Sequence, residues 1–277
     1  MEIRVSSLLA EVPDLADHEV RRLVLLAADA GAVWLVGDPV VAEVVADRFR
    51  GYVRRRRRGE PLQYIEGTVQ FGPIELQIDP RALIPRPETE HLWELAVDLV
   101  ADINEPKIVD VCTGSGNLAL AMKWVRPDSS VIGCDLSREA LELAVGNAAR
   151  LDLAVGFVAG DLLGALPNSL RGQVDLIVSN PPYIAESEFE LLPPEVRDHE
   201  PTEALVAKDN GLEILGRIAA EAGDWLRPGA AIICEIGESQ GTACLEIFRL
   251  FDPKIEKDLT GRDRFVVGCA PMRVELH

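Results

Sequence analysis

The residues best suited to chemistry are Asn180-Pro181-Pro182-Tyr183, which continue without a break from the apolar run Val174-Asp175-Leu176-Ile177-Val178-Ser179. Asn-Pro is common turn text at the end of a strand. Two successive prolines, however, remove two N–H donors and hold the backbone so that carbonyl oxygens point outward without partners. Asn180 Oδ1 and the Pro181 carbonyl would then accept both hydrogens of one planar NH2 group. Such a nitrogen is a poor nucleophile because its lone pair is delocalised. Holding both hydrogens out of plane favours pyramidalisation and aims the lone pair at an electrophile, while Tyr183 covers the flat face of the substrate. Catalysis of this kind works through orientation and electrostatics, and no base is needed before the transfer.

A second set of residues is suited to hold the electrophile. The run Ile108-Val109-Asp110-Val111 passes into Cys112-Thr113-Gly114-Ser115-Gly116, where Gly114 and Gly116 permit a tight turn and close backbone approach to a ligand. Asp135 ends the next apolar run, nineteen residues after Gly116, and its carboxylate can accept hydrogen bonds from two ribose hydroxyls. Asp161-Leu162 follow the third run and would lie beside the base of the same nucleoside. Gly114-x-Gly116-x-x-Ala119 also fits a dinucleotide-binding fingerprint, and each glycine has an ordinary role in turns. A sulfonium methyl held at this loop would complete an in-line displacement.

Positioning both sets requires a series of strands and helices. From Lys107 onward, Val/Ile-rich runs at Ile108 to Val111, Val131 to Cys134, Val155 to Ala159, Val174 to Val178, Ala230 to Glu235, Lys254 to Lys257 and Arg264 to Cys269 read as strands. Amphipathic helices at Leu118 to Val125 and Arg138 to Arg150 separate the first three, a βαβ pattern that builds an α/β domain around a mostly parallel sheet. Ligands of such sheets bind beyond the carboxyl ends of the strands, where strand order reverses.

Upstream, residues 1–60 read as a helical domain, with three-four spacing at Val20, Leu23, Val24 and Ala27 and again at Val40, Val41, Val44 and Val45. Residues 61–84 read as a β-hairpin linker turning at Gly72-Pro73, and 85–277 as the α/β domain. A helix is expected from about Thr89 to Val100, after Pro85 and Pro87. The run Arg54-Arg55-Arg56-Arg57-Arg58 reads as a solvated helix end, with docking of a polyanion or an acidic protein face as the alternative.

Composition excludes several classes. With 277 residues, 48% hydrophobic and 27% charged, the chain can bury a core. Its net charge of −18 divides into −3 over the first 90 residues and −15 over the rest, which opposes binding through nucleic-acid phosphates. The longest uncharged stretch, Val111 to Met122, is too short and polar for a membrane span, and the acidic N-terminus does not read as a signal peptide. A cytoplasmic protein is expected. Cys112, Cys134, Cys234, Cys244 and Cys269 read as buried free thiols, and His18, His91, His199 and His277 form no ligand-spaced pair, so no metal site is expected.

Asn-Pro-Pro-Tyr after a fourth strand resembles the class I S-adenosylmethionine-dependent methyltransferases that act on amino groups. Gly59-Glu60-Pro61-Leu62-Gln63-Tyr64, Leu83-Ile84-Pro85-Arg86-Pro87-Glu88-Thr89-Glu90, Ser179-Asn180-Pro181-Pro182-Tyr183-Ile184 and Glu200-Pro201-Thr202-Glu203-Ala204-Leu205 occur in the order of the HemK/PrmC family. This resemblance, which spans almost the whole chain, implies a Rossmann-like, seven-stranded domain behind a helical N-terminal domain that selects the substrate. The implied reaction is methyl transfer from S-adenosyl-L-methionine to the side-chain amide of the glutamine in the Gly-Gly-Gln motif of class-1 peptide chain release factors. By position, the cofactor residues would be Cys112, Thr113, Gly114, Ser115, Gly116, Asp135, Asp161, Leu162 and Asn180. The substrate clamp would be Asn180, Pro181, Pro182 and Tyr183, with Asn180, Pro181 and Tyr183 catalytic. Glu235 and Gly237 either line the pocket or support the sheet core.

The chain departs from the family pattern at Cys112 and Lys208, where glycine is usual, and at His199, where an aromatic residue is usual. A monomer with a protein substrate and no direct nucleic-acid partner is expected. The alternatives are methylation of a glutamine in a ribosomal protein, an adenine-type amino methyltransferase, and a binding module without turnover.

Overall fold

The computed structural model describes residues 2–272, so His277 lies outside the described residues. The chain forms two compact units. Among the described residues, one comprises 2–68 with Pro193–His199, the other Val69–Leu192 with 200–272.

The first unit contains the helices Val5–Ala10 (α1), Asp17–Ala28 (α2), Glu43–Arg57 (α3) and Leu62–Glu66 (α4). Val20, Leu23, Val24 and Ala27 share the buried face of α2, and Ala46, Phe49 and Val53 that of α3. α4 adds Leu62 and Ile65 to the same core, so the unit continues past the turn at Gly59-Glu60-Pro61.

The arginine run lies at the solvated end of α3, with Arg54, Arg57 and Arg58 exposed and Arg55 and Arg56 half-buried, and three of its side chains are paired. Successive helical residues point about 100° apart, so these side chains reach different acidic neighbours. Arg55 pairs with Glu60 at 2.5 Å and Arg57 with Asp14 at 2.6 Å. Arg56 bridges Glu19 at 2.7 Å and Glu195 at 2.6 Å, joining α2 to the returning segment Pro193–His199.

A hairpin of Thr68–Phe71 and Ile74–Gln77, in the second unit from Val69 on, precedes the helix Pro87–Leu99 (α5). α5 begins at Pro87 and not near Thr89, because proline suits the first helical position, whose N–H has no partner within the helix. The seven strands are Lys107–Val111 (β1), Ser130–Asp135 (β2), Gly156–Ala159 (β3), Val174–Ser179 (β4), Leu226–Glu235 (β5), Lys254–Lys257 (β6) and Asp263–Cys269 (β7). They lie in the order β3-β2-β1-β4-β5-β7-β6, with β7 antiparallel to both neighbours.

Alternate residues of each strand face opposite layers. Ile108, Leu176, Val178 and Ile233 pack with the hairpin, α5 and the helix Asn117–Val125 (α6). Val109, Val111, Ile177 and Ile232 pack against the helix Glu213–Trp225. Cys134, Cys234 and Cys244 are buried free thiols as read from the sequence, whereas Cys112 is half-buried and Cys269, the last residue of β7, is exposed. Among the described residues no helix is long and apolar enough to cross a membrane.

Candidate active site

Strand order reverses between β1 and β4, and the register there decides which residues meet. Val111 pairs with Cys134 of β2 and with Ser179 of β4, and Ser179 pairs with Cys234 of β5. The next residue of each strand or the loop beyond it is therefore Asp135, Cys112, Asn180 or Glu235, in one row along the carboxyl edge of the sheet. Ser179 Oγ donates to Val111 O at 2.6 Å and ties the two central strands together there.

The loop after β1 turns through left-handed residues at Cys112 (φ 61), Gly114 (φ 54) and Gly116 (φ 83). Two carboxylates shape it. Asp110 Oδ2 accepts from Thr113 Oγ1 at 2.5 Å and from the Ala119 amide at 3.1 Å, anchoring the loop to the start of α6. Burial pushes the Asp110 pKa up to about 7 against these bonds. Asp135 Oδ2 accepts from the Gly114 amide at 2.8 Å and Oδ1 from the Ser137 amide at 2.9 Å. Burial raises the Asp135 pKa, with these amide bonds opposing it.

Each Asp135 oxygen keeps a second lone pair for a ligand hydroxyl. A Cβ on Gly114 would meet nothing within 4 Å, so the loop backbone faces open space. At Gly116, by contrast, a Cβ would lie 3.1–3.3 Å from Leu120, Ala144 and Phe157, so that glycine serves packing. An acceptor pair beside an open backbone suits the vicinal hydroxyls of a nucleoside. Thr113 and Ser115 are buried, and Ser115 Oγ has no hydrogen-bond partner among the described residues.

Asp161 and Leu162 lie beyond β3. The Asp161 carboxylate is engaged by Arg217 at 2.7 Å, along an open cleft of ≈ 690 Å³ that Ala159, Gly160 and Trp225 also line. Leu162 is buried with a left-handed backbone (φ 48). A contact of Asp161 with a base would compete with that ion pair.

At the end of β4, Pro181 is buried, while Asn180, Pro182 and Tyr183 are half-buried. Asn180 Nδ2 donates to Thr89 Oγ1 at 3.0 Å, which leaves Oδ1 as the atom facing away from Thr89. Thr89 Oγ1 donates to Glu235 Oε2 at 2.8 Å, and Tyr183 OH donates to Glu235 Oε1 at 3.0 Å. Burial raises the Glu235 pKa, opposed by the hydroxyls of Thr89 and Tyr183 and by the charge of Arg264. Burial and the neighbouring Glu235 raise the pKa of the Tyr183 phenol, which stays protonated.

The clamp backbone is also braced. Gln240 Nε2 donates to Tyr183 O at 2.9 Å and to Asn210 O at 3.2 Å, and Gln240 Oε1 accepts from the Gly237 amide at 2.8 Å. Upstream, Glu200 accepts the Ile84 amide at 3.1 Å and pairs with Arg86, so the motif beginning Glu200-Pro201 holds the segment Pro85-Arg86-Pro87 that leads into α5.

The sequence does not assign Asp110, Thr89 or Gln240 to the site, and it leaves Glu235 between two roles. The signal for Asp110 is an acidic residue inside the strand text Ile108-Val109-Asp110-Val111, where burial without a purpose is costly. Thr89 and Gln240 carry no such signal, because ordinary polar residues acquire their roles through contacts distant in sequence.

The seven-stranded order with its antiparallel β7, together with two loops meeting at the switch point, defines a class I methyltransferase fold. Solved structures of a methyltransferase from Pyrococcus furiosus (TM-score 0.52, 18% identity, 71% of this chain and 89% of that one) and of the hMettl16 catalytic domain (TM-score 0.56, 15% identity, 92% and 94%) share it. The family model described as methyltransferase small domain matches residues 94–192, and the PrmC N-terminal domain matches residues 4–67. A release factor glutamine methyltransferase of Mycobacterium tuberculosis H37Rv is 38% identical, covering 96% of this chain and 86% of its own. One of Deinococcus radiodurans is 42% identical over 77% and 76%. The chain belongs to the release factor glutamine methyltransferase family.

Proposed function

We propose that this protein transfers a methyl group from S-adenosyl-L-methionine to the side-chain amide nitrogen (N5) of the glutamine in the Gly-Gly-Gln motif of class-1 peptide chain release factors. The observation that carries this reading is the pair of acceptors, Asn180 Oδ1 and Pro181 O, next to the loop Cys112 to Gly116 on the adjacent strand. Among the described residues no donor is bonded to either oxygen.

The cofactor supplies a methyl group activated by attachment to a sulfonium sulfur. Cys112, Thr113, Gly114, Ser115 and Gly116 would hold it, with Asp135 accepting its ribose hydroxyls, Asp161 and Leu162 flanking its base and Asn180 closing the methyl end. Asn180 Oδ1 and Pro181 O accept the two hydrogens of the glutamine amide and turn its lone pair out of the amide plane. Pro182 keeps the turn rigid, and Tyr183 covers the amide face. The methylated nitrogen then loses its extra proton, so no side chain has to act as a base beforehand.

The N-terminal helical unit is proposed to select the release factor. Arg55, Arg56 and Arg57 are already engaged by carboxylates, and the net charge is −18, both of which favour a protein substrate over a nucleic acid. A monomer acting in the cytoplasm completes the reading.

The test is transfer of label from S-adenosyl-L-methionine to an unmodified release factor, beside its Gln→Ala version at the Gly-Gly-Gln motif and duplex DNA. Label on the intact release factor alone supports the proposal. Label on DNA alone, or on the Gln→Ala version as well, contradicts it.

A further inference from the structure

The clamp works only if Asn180 presents oxygen to the substrate. An asparagine amide is nearly symmetric in shape, so its two orientations differ mainly in the hydrogen bonds they make. If Asn180 were turned over, Nδ2 would meet the substrate NH2 donor to donor, and the pair of acceptors would be lost. Something in the protein has to distinguish the two orientations.

We infer that Thr89 is the positioning residue that sets the orientation of the Asn180 amide, and that Glu235 enforces it by accepting the hydrogen bond that the Thr89 hydroxyl donates. This rests on the amide-clamp reading above. A threonine hydroxyl has one hydrogen to donate. At 2.8 Å from the Glu235 carboxylate that hydrogen goes to Oε2, so the same oxygen can only accept from Asn180, 3.0 Å away. The atom of Asn180 facing Thr89 must therefore be Nδ2, and Oδ1 faces the opposite way. A flipped amide would set Oδ1 against the oxygen of Thr89 with no hydrogen between them.

The other carboxylate oxygen fixes the second clamp residue, since Glu235 Oε1 accepts from Tyr183 OH at 3.0 Å. One carboxylate thus orients both polar side chains of the clamp from behind. The three elements involved are separate in sequence, with Thr89 in the first turn of α5, Asn180 and Tyr183 just beyond β4, and Glu235 at the end of β5. Thr89 and Glu235 are both buried, so water does not compete for these bonds.

The test measures kcat, KM for an unmodified release factor and cofactor affinity by titration calorimetry in Thr89→Val, Thr89→Ser, Asn180→Ala and the double variant Thr89→Val/Asn180→Ala. Thr89→Val keeps the shape and removes the hydroxyl, so kcat should fall at least tenfold while KM and cofactor affinity stay within about threefold. Thr89→Ser restores the hydroxyl and should keep kcat within about threefold of the parent. In the Asn180→Ala background, Thr89→Val should lower kcat by less than twofold, since no amide remains to orient.

If Asn180→Ala loses turnover but Thr89→Val keeps it, the positioning role falls and the clamp reading stands. Near-parental turnover in Asn180→Ala removes the clamp reading and this inference with it. Equal losses from Thr89→Val in both backgrounds would mark a structural role and overturn the inference. Should Thr89→Val not fold, the smaller Thr89→Ala substitutes for it under the same expectations.

Discussion

Asp135 Oδ2 accepts the Gly114 amide at 2.8 Å, so the carboxylate at the end of one strand holds the loop leaving the next. In the proposed reading the same carboxylate also accepts the cofactor's ribose hydroxyls. Asp135→Ala is therefore expected to weaken S-adenosyl-L-methionine binding about 10- to 100-fold, with little change in kcat at saturating cofactor. Asp135→Asn, which keeps one acceptor oxygen, should fall between. Titration calorimetry with the cofactor and its demethylated product measures both, and unchanged affinity in Asp135→Ala would remove the residue from the site.

Cys112 takes a left-handed backbone (φ 61) that glycine adopts freely and an L side chain adopts at a cost of about 1–2 kcal/mol. Its side chain packs against the sheet core, which offsets part of that strain by roughly 1 kcal/mol. Cys112→Gly should thus change stability by no more than about 1 kcal/mol and keep or improve cofactor affinity. Denaturant unfolding and cofactor titration check the two halves, and a large loss of affinity would show that the thiol takes part in binding.

Burial raises the Asp110 pKa from 3.8 to about 7. The folded protein then keeps a proton that the unfolded chain has released, so this group lowers stability as pH rises between those values. Asp110→Asn carries no titrating proton and should flatten the decline, by at most about 4 kcal/mol over that range. Urea midpoints from pH 4 to 8 in the two proteins test this. An unchanged slope would mean that Asp110 titrates near its ordinary value.

A Cβ on Gly211 (φ 81) would come within 2.0 Å of the Tyr183 carbonyl oxygen. The turn Asp209–Gly211 and the clamp cannot both keep their places once that atom is added. Gly211→Ala is expected to lower kcat at least tenfold and stability by about 1–3 kcal/mol. Steady-state kinetics and a thermal melt suffice, and parental values in both would show that the turn is free to move.

Arg56 joins α2 to the returning segment through Glu19 and Glu195, and its side chain is 16% exposed. Arg56→Ala leaves two carboxylates without their partner. Because the Glu195 side chain is 42% exposed, the expected destabilisation is about 1–3 kcal/mol, below the full loss for a buried pair. Hydrogen exchange should quicken over residues 193–199, and unaltered exchange there would show that other contacts hold the segment.

Much of this was legible because it is local. The periods of the strand and helix text located β1 to β7 within a few residues, since side-chain alternation and three-four spacing act over one element at a time. The turns at Asn180 to Tyr183 and Cys112 to Gly116 were legible for a similar reason, because prolines and glycines restrict or free the backbone at their own positions. The start of α5 differs because a local rule has a local exception at Pro87.

The amino-acid sequence by itself determined the α/β architecture and the family motifs, because each depends on residues adjacent in the chain. Only the tertiary structure decided that Thr89 and Glu235 stand behind Asn180, that Gln240 braces Tyr183 and that Asp161 is engaged by Arg217. Those pairings join residues 52 to 146 positions apart. Hydrogen bonds act over about 3 Å, and strand register, not sequence spacing, sets which atoms come that close.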